Sequence, residues 1–244
     1  MEKSKVLVVG GTGYLGRRIV KASLEEGHET YVVQRPEIGL DIEKLQMLLS
    51  FKKQGAILVK ASFSDHKSLV EAVKKVDIVI CAISGVHFRT HNLLMQLKLV
   101  DAIKEAGNVK RFLPSEFGMD PAQMGHALEP GRETFDQKMV VRRAIEEANI
   151  PFTYVSANCF GGYFVGNLSQ LKTLTPPTDK VHLYGDGNIK EMDYAQKAGM
   201  GHFYHIFYEG CLTNFEIGKD GEEASDLYPE VKYTRMDEYL KIYL

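Results

Sequence analysis

The sequence predicts an α/β protein, a doubly wound parallel sheet followed by a smaller C-terminal lobe. Three observations carry this reading. From Lys5 onward short apolar runs alternate with longer stretches of helical periodicity, a glycine-rich turn joins the first run to the first helical stretch, and the rhythm breaks after Ala157. The 244 residues suffice for one large core with an appended lobe. With 44% hydrophobic and 25% charged residues and a net charge of -2, the chain is neither compositionally disordered nor basic enough to be held to nucleic acid by its field.

Taken in order, residues 6–9 read as a strand, 14–26 as a helix and 30–34 as the next strand. Residues 41–54 place Ile42, Leu45, Leu48 and Leu49 at helical spacing, before a strand at 57–59. Asp65 is positioned to cap a helix through Leu69, Val70 and Val73. A strand at 76–82 leads to a helix at 92–106, which Gly107 closes. A strand at 111–113, a helix at 133–147 and a sixth strand at 152–156 complete a first domain of residues 1–157. Residues 158–244 form the second lobe, opening on the aromatic and glycine-rich stretch 158–167 and containing a Pro176-Pro177 break and a strand at 181–184. At Lys190-Glu191 a turn that should enter a strand passes directly into helical sequence, so an internal segment is expected to be absent there.

Three cysteines, Cys81, Cys159 and Cys211, are too scattered for a disulfide framework and suit a reducing compartment. The N-terminus lacks a signal-like apolar stretch, and no run reaches the roughly 18 to 20 residues of a membrane span, so a cytoplasmic location is expected.

The sharpest motif is Gly10-Gly11-Thr12-Gly13-Tyr14-Leu15-Gly16, which satisfies G-x-G-x-x-G through Gly11, Gly13 and Gly16 between the first strand and helix. Glycine lets backbone approach a pyrophosphate closely, and the helix N-terminus presents N–H donors to its charge. The first domain is thus read as a Rossmann-like NAD(P)-binding domain. An NAD site places an acid about 20 residues on, to bind the ribose 2′-hydroxyl. Here Gln34-Arg35 ends the second strand, with Lys44 on the following helix, and these two cations point to the 2′-phosphate of NADPH.

Short-chain dehydrogenases use a Tyr-x-x-x-Lys pair, and the helix at 133–147 keeps only the lysine, with Thr134 four residues before Lys138. The formal match Tyr228 to Lys232 contains Pro229 and cannot form a helical pair. Lys138 and Arg142 share one helix face, one directed to substrate and the other to cofactor. The spacings His87–His91 and His202–His205 lack further ligands, so no metal is expected, and His202 is read as a neutral histidine orienting a polar substrate group. Met124, Leu128, Phe160, Phe164 and Phe203 supply an apolar substrate pocket, with residues 85–91 as a movable lid after the fourth strand.

The segments Gly10 to Gly16, Pro114-Ser115-Glu116-Phe117-Gly118, Lys138-Met139-Val140-Val141-Arg142, Ser156-Ala157-Asn158-Cys159-Phe160 and Asn214-Phe215-Glu216-Ile217-Gly218 resemble the isoflavone reductase-like plant reductases of the NmrA-like group, most closely its pinoresinol-lariciresinol reductases. The resemblance runs over essentially the whole chain and departs only between Lys190 and Glu191. It implies Lys138 as the catalytic residue, Asn158 and Phe160 at the cofactor, a homodimer, and a phenolic lignan as substrate. The implied reaction is NADPH-dependent opening of a furofuran benzylic ether, pinoresinol to lariciresinol, with the second opening to secoisolariciresinol left undecided. Reduction of a phenylcoumaran, an isoflavone or a phenylpropene ester would use the same cofactor site, and a non-catalytic NADP(H) sensor is the alternative from another class.

Overall fold

The structure is a computed structural model that describes residues 3–84, 92–157, 193–212, 215–235, 237, 238 and 241. Its centre is a parallel sheet built from β1 (Lys5–Val9), β2 (Glu29–Gln34), β3 (Ile57–Lys60), β4 (Ile78–Cys81) and β5 (Arg111–Leu113), in the order β3-β2-β1-β4-β5. Val6 of β1 pairs with Thr30 on one side and Ile78 on the other, so β1 is the central strand. Its side chains alternate across the sheet, which decides how the two helical layers pack. Leu7 and Val9 face one cluster with Val79 and Phe112, covered by α3 (His66–Val73), α4 (Gln96–Ala106) and α5 (Arg132–Glu147) through Leu69, Leu99 and Ile145. Val6 and Val8 face the other with Val32, covered by α1 (Gly16–Glu25) and α2 (Ile42–Lys53) through Val20, Leu48 and Phe51. The fold is therefore the expected doubly wound α/β architecture.

Local chemistry sets the element ends. Asp41 caps α2 by accepting from the Lys44 N–H, and Asp65 caps α3 by accepting from that of Ser68, as its position predicts. Gly107, at φ 68°, closes α4 in the left-handed conformation.

Two expectations change. The helix expected from residue 92 opens instead with a tight 3₁₀ turn, Asn92–Met95, before α4. On α2, Ile42 and Leu49 are 70% and 56% exposed. They lie two helical turns apart, on the side of α2 turned away from Leu48 and Phe51. The sixth strand is reduced to two isolated bridges, Phe112–Phe152 and Gly118–Ser156. Its template runs out: β5 ends at Leu113, Pro114 has no N–H to donate, and the Ser115 N–H is taken by the buried Gln96 side chain at 2.8 Å.

A third, smaller cluster joins Met119, Met124, Ala127, Phe135 and Cys211, with Ile206 and Leu212 packed against it. It docks the C-terminal α6 (Tyr194–Phe203) and the single π turn that follows, Tyr204–Tyr208, onto the segment between β5 and α5. A reciprocal capping box between Asp193 and Gln196 starts α6. The junction at 190–191, the lid at 85–91 and the pocket and cofactor positions Asn158, Phe160 and Phe164 lie outside the described residues.

Candidate active site

The strand order reverses between β1 and β4, and in this architecture ligands bind outside the carboxyl ends of the strands flanking that switch. The glycine-rich loop stands there. Gly10 adopts φ 86°, and a Cβ on it would come within 2.7 Å of the Ala82 carbonyl oxygen at the end of β4. A Cβ on Gly16 would collide with the Gly10 carbonyl, so the first turn of α1 can press against the loop only as glycine. The Gly13 N–H donates to Gly10 O at 2.9 Å and the Arg17 N–H to Gly13 O at 3.1 Å, folding Thr12 and Leu15 over the strand end. No side chain caps α1, which leaves its N-terminus available to an anion. Arg18 donates to the Tyr14 carbonyl at 2.7 Å and lies 4.0 Å from that ring's centre, with Arg17 on the same ring. These two arginines add positive charge beside the loop; the sequence reading passed over them, although an Arg-Arg pair inside the first turn was visible.

Arg35 follows the last residue of β2 and is exposed. Lys44 is engaged differently. Its Nζ lies 2.5 Å from Asp41 Oδ2, so its charge is already partnered within the helix cap.

Lys138 is buried on α5, and its Nζ donates to the Glu116 backbone carbonyl at 2.7 Å. Glu116 is buried too, with Oε2 3.9 Å from that ammonium, and this oxygen has no hydrogen-bond partner among the described residues. The other carboxylate oxygen accepts from Arg142 Nε at 3.0 Å, while Arg142 Nη1 reaches Asp120 at 2.8 Å. Burial pushes the Lys138 pKa below the ordinary lysine range; Glu116 opposes that shift and Arg142 adds to it. For Arg142, burial opposes the charge, but the hydrogen bond and charge of Glu116 and the charge of Asp120 outweigh it and hold the guanidinium above its usual value. Arg142 also stacks 4.2 Å over the Tyr154 ring. The structure therefore gives Arg142 an interior brace between two carboxylates. Glu116, which the sequence reading quoted only as part of a motif, is the hub of this network.

Above α5 the second lobe supplies His202, whose Nε2 meets the Gly131 carbonyl at 2.9 Å and whose ring lies 5.0 Å from that of Phe135, one turn before Lys138. Burial lowers its pKa and the Lys138 charge adds to that shift, against the opposing Gly131 contact, which favours the neutral ring. Met124 is buried in the third cluster and lines a cavity of about 450 Å³ with Gln123, His126, Glu209, Cys211 and Phe215. Leu128 and Phe203 are 50% and 43% exposed. The structure thus brings Met124 and His202 toward the segment before Lys138 and leaves Leu128 and Phe203 at the surface.

A second polar group sits beside that cavity. His205, on the π turn, donates from Nδ1 to Glu209 Oε2 at 2.6 Å, and His126 Nε2 and Cys211 Sγ lie 3.1 and 3.5 Å from the same oxygen. The His205 hydrogen bond, foremost among these contacts, pulls the Glu209 pKa down to about 2.

The model of the NmrA-like family matches residues 2–205. An isoflavone reductase homolog of Lupinus albus is 64% identical over 312 aligned residues that take in the whole of both chains. A bifunctional pinoresinol-lariciresinol reductase of Linum perenne is 60% identical over 314, again with all of both chains. Among solved structures, AtPrR2 with NADP+ and (+)pinoresinol superposes with a TM-score of 0.90 at 54% identity over the whole of both chains. With its glycine cradle, its lysine without a tyrosine and these similarities, the chain belongs to the NmrA-like family, in the group of the plant pinoresinol-lariciresinol and isoflavone reductases.

Proposed function

We propose that this chain is an NADPH-dependent reductase that opens the benzylic ether of furofuran lignans, converting pinoresinol to lariciresinol. The observation that carries the reading is the buried Lys138, held by one backbone carbonyl in a site where burial pushes its pKa below the ordinary lysine range. The relatives' names and the (+)pinoresinol bound in the solved neighbour support the substrate class. The residues around the loop fit a dinucleotide, since the Gly10–Gly16 cradle has no room for a Cβ and α1 is uncapped. Arg35 accounts for the 2′-phosphate.

Neutral Lys138 takes the proton of a phenol para to the benzylic ether. The phenolate electrons then expel the ether oxygen as an alkoxide, which takes a proton from solvent, and the ring becomes a quinone methide. NADPH held in the glycine cradle would supply hydride to the benzylic carbon, and the phenolate of the restored aromatic ring would take its proton back from Lys138. His202, neutral and anchored to Gly131, orients a polar group of the substrate. Arg142 acts through Glu116, keeping the carboxylate beside Lys138. A sensor without chemistry has no use for a buried lysine, which disfavours that alternative.

Residues 1–157 serve as the cofactor domain and 158–244 as the substrate lobe. The absence of a segment after Lys190 is supported by alignments of 312 and 314 positions against a chain of 244 residues. Exposed Phe207 and Tyr208, at 62% and 79%, support a homodimer whose partner covers the π turn. No described helix is long and apolar enough to cross a membrane. The test is incubation with NADPH and racemic pinoresinol or lariciresinol, with chiral analysis of products. Lariciresinol is expected from pinoresinol. Turnover of an isoflavone or phenylcoumaran with neither lignan reduced would reassign the substrate.

A further inference from the structure

We propose that His126, Glu209 and Cys211 form a three-ligand site for a divalent ion of the zinc class, with His205 orienting the carboxylate and the fourth position open to the adjoining cavity. The three residues come from two distant parts of the chain, yet their ligand atoms and that of His205 all lie within 4.8 Å of one another. Tetrahedral zinc with bonds of about 2.0 Å to nitrogen or oxygen and about 2.3 Å to sulfur sets its ligands roughly 3.3 to 3.6 Å apart. The separations from Glu209 Oε2, 3.1 Å to His126 Nε2 and 3.5 Å to Cys211 Sγ, are close to that spacing. One imidazole, one thiolate and one carboxylate make a donor set of borderline softness that suits zinc over magnesium or calcium.

His205 is excluded as a direct ligand by its own contacts. Its Nε2 accepts the Leu128 N–H at 2.9 Å, so the ring carries its proton on Nδ1 and gives it to Glu209 at 2.6 Å. A histidine that fixes a ligating carboxylate in this way is a supporting contact of the kind that tunes metal sites. The local backbone serves the same end. A π turn, rare and concentrated at functional sites, places His205 four residues before Glu209. Gly210, at φ 69°, then turns the chain so that the Cys211 N–H meets His205 O at 2.9 Å and Sγ points back to the carboxylate. Gln123, Met124 and Phe215 wall the cavity of about 450 Å³ on which the trio opens. Three protein ligands with an accessible fourth position match zinc sites that bind water or a small ligand.

On binding, the Cys211 thiol gives up its proton to solvent, neutral His126 offers a nitrogen lone pair, and Glu209 binds as the anion it already is. The test uses the full chain, stripped with chelator and titrated with Zn²⁺ against a chromophoric competitor. One Zn²⁺ per chain is expected, with proton release on binding. Cys211→Ser and His126→Ala should each weaken affinity at least tenfold, and His205→Gln about 10- to 100-fold, as loss of a supporting contact does. Co²⁺ should give a thiolate charge-transfer band that Cys211→Ser abolishes. Absence of stoichiometric binding by the native chain, or affinity unchanged by both ligand substitutions, overturns the proposal. Should Cys211→Ser fail to fold, the cobalt spectrum of the native chain decides alone, and a spectrum without the sulfur band overturns it.

Discussion

Lys138 illustrates how position changes the acid–base character of an ordinarily exposed residue. A lysine of reference pKa about 10.4 is almost wholly charged at neutral pH, and burial on α5 with Arg142 nearby pushes it down, while Glu116 pulls it back. In the proposed mechanism the neutral amine is the active form, so turnover should rise with pH through this depressed pKa. Glu116→Gln removes the opposing charge, so that limb of the kcat profile should move to lower pH while Lys138→Ala abolishes it. Glu116→Gln also breaks a buried ion pair, a loss of about 3 kcal/mol or more, which thermal unfolding will show. Lys138→Ala should retain NADPH affinity by calorimetry; substantial residual reduction in that variant moves the proton transfer to another group. Arg35 makes a different prediction. A charge-assisted contact to phosphate is worth about 1.5 to 3 kcal/mol, so Arg35→Ala should weaken NADPH roughly ten- to a hundredfold and NADH hardly at all. Equal losses for both nucleotides would remove the 2′-phosphate assignment.

At the scale of elements, the glycine loop and α1 form one device, because α1 can approach β1 only where Gly16 meets the Gly10 carbonyl. Gly16→Ala should therefore displace the helix N-terminus, cost about 1 to 3 kcal/mol of stability as overpacking does, and weaken NADPH at least tenfold by calorimetry. Unchanged affinity would show that the pyrophosphate is held elsewhere. This device was legible in the sequence because its parts are contiguous and each glycine has a local steric reason. The caps at Asp41 and Asp65 and the stop at Gly107 were legible for the same reason. The sixth strand was not: residues 152–156 have strand composition, and only the neighbouring β5 reveals that Pro114 and Gln96 end the ladder before it can continue. Helical spacing announced α2 without saying which face is buried, because exposed Ile42 and Leu49 satisfy it as well as buried Leu48 does. Of the site, Lys138 was readable from its helix position. The grouping of His126 with Glu209 and Cys211 spans 83 residues from His126 to Glu209 and leaves no local pattern.

At the scale of the molecule, the described C-terminal residues pack against the first part of the chain through Ile206 and Cys211 on apolar Met119, Met124 and Phe135, through the polar bridge Leu128–His205–Glu209 and through His202 on Gly131. Glu209 gives this bridge its pH dependence. Its carboxylate, favoured first by the His205 hydrogen bond, has a pKa of about 2 in the folded chain against an ordinary 4.5. As pH falls below 4.5 the unfolded chain takes up this proton before the folded one does, so stability is lost across the window from about 4.5 to about 2. Asp41 and Asp77 are also held low, Asp41 by its Lys44 hydrogen bond and Asp77 by the Lys5 N–H, so acid lowers stability at sites unrelated to the lobe. The informative quantity is therefore the difference between the native chain and Glu209→Gln, followed in chelator so that bound metal plays no part. Above pH 4.5 the native chain should melt at the higher temperature by a constant margin, and this margin should shrink to nothing as pH approaches 2. Hydrogen exchange should place the early opening at Tyr204–Tyr208 and the Leu128 N–H, ahead of the sheet. A melting difference that persists unchanged to pH 2, or exchange that opens β1 first, would mean that the lobe is held by its apolar contacts and that the charged bridge contributes nothing to docking.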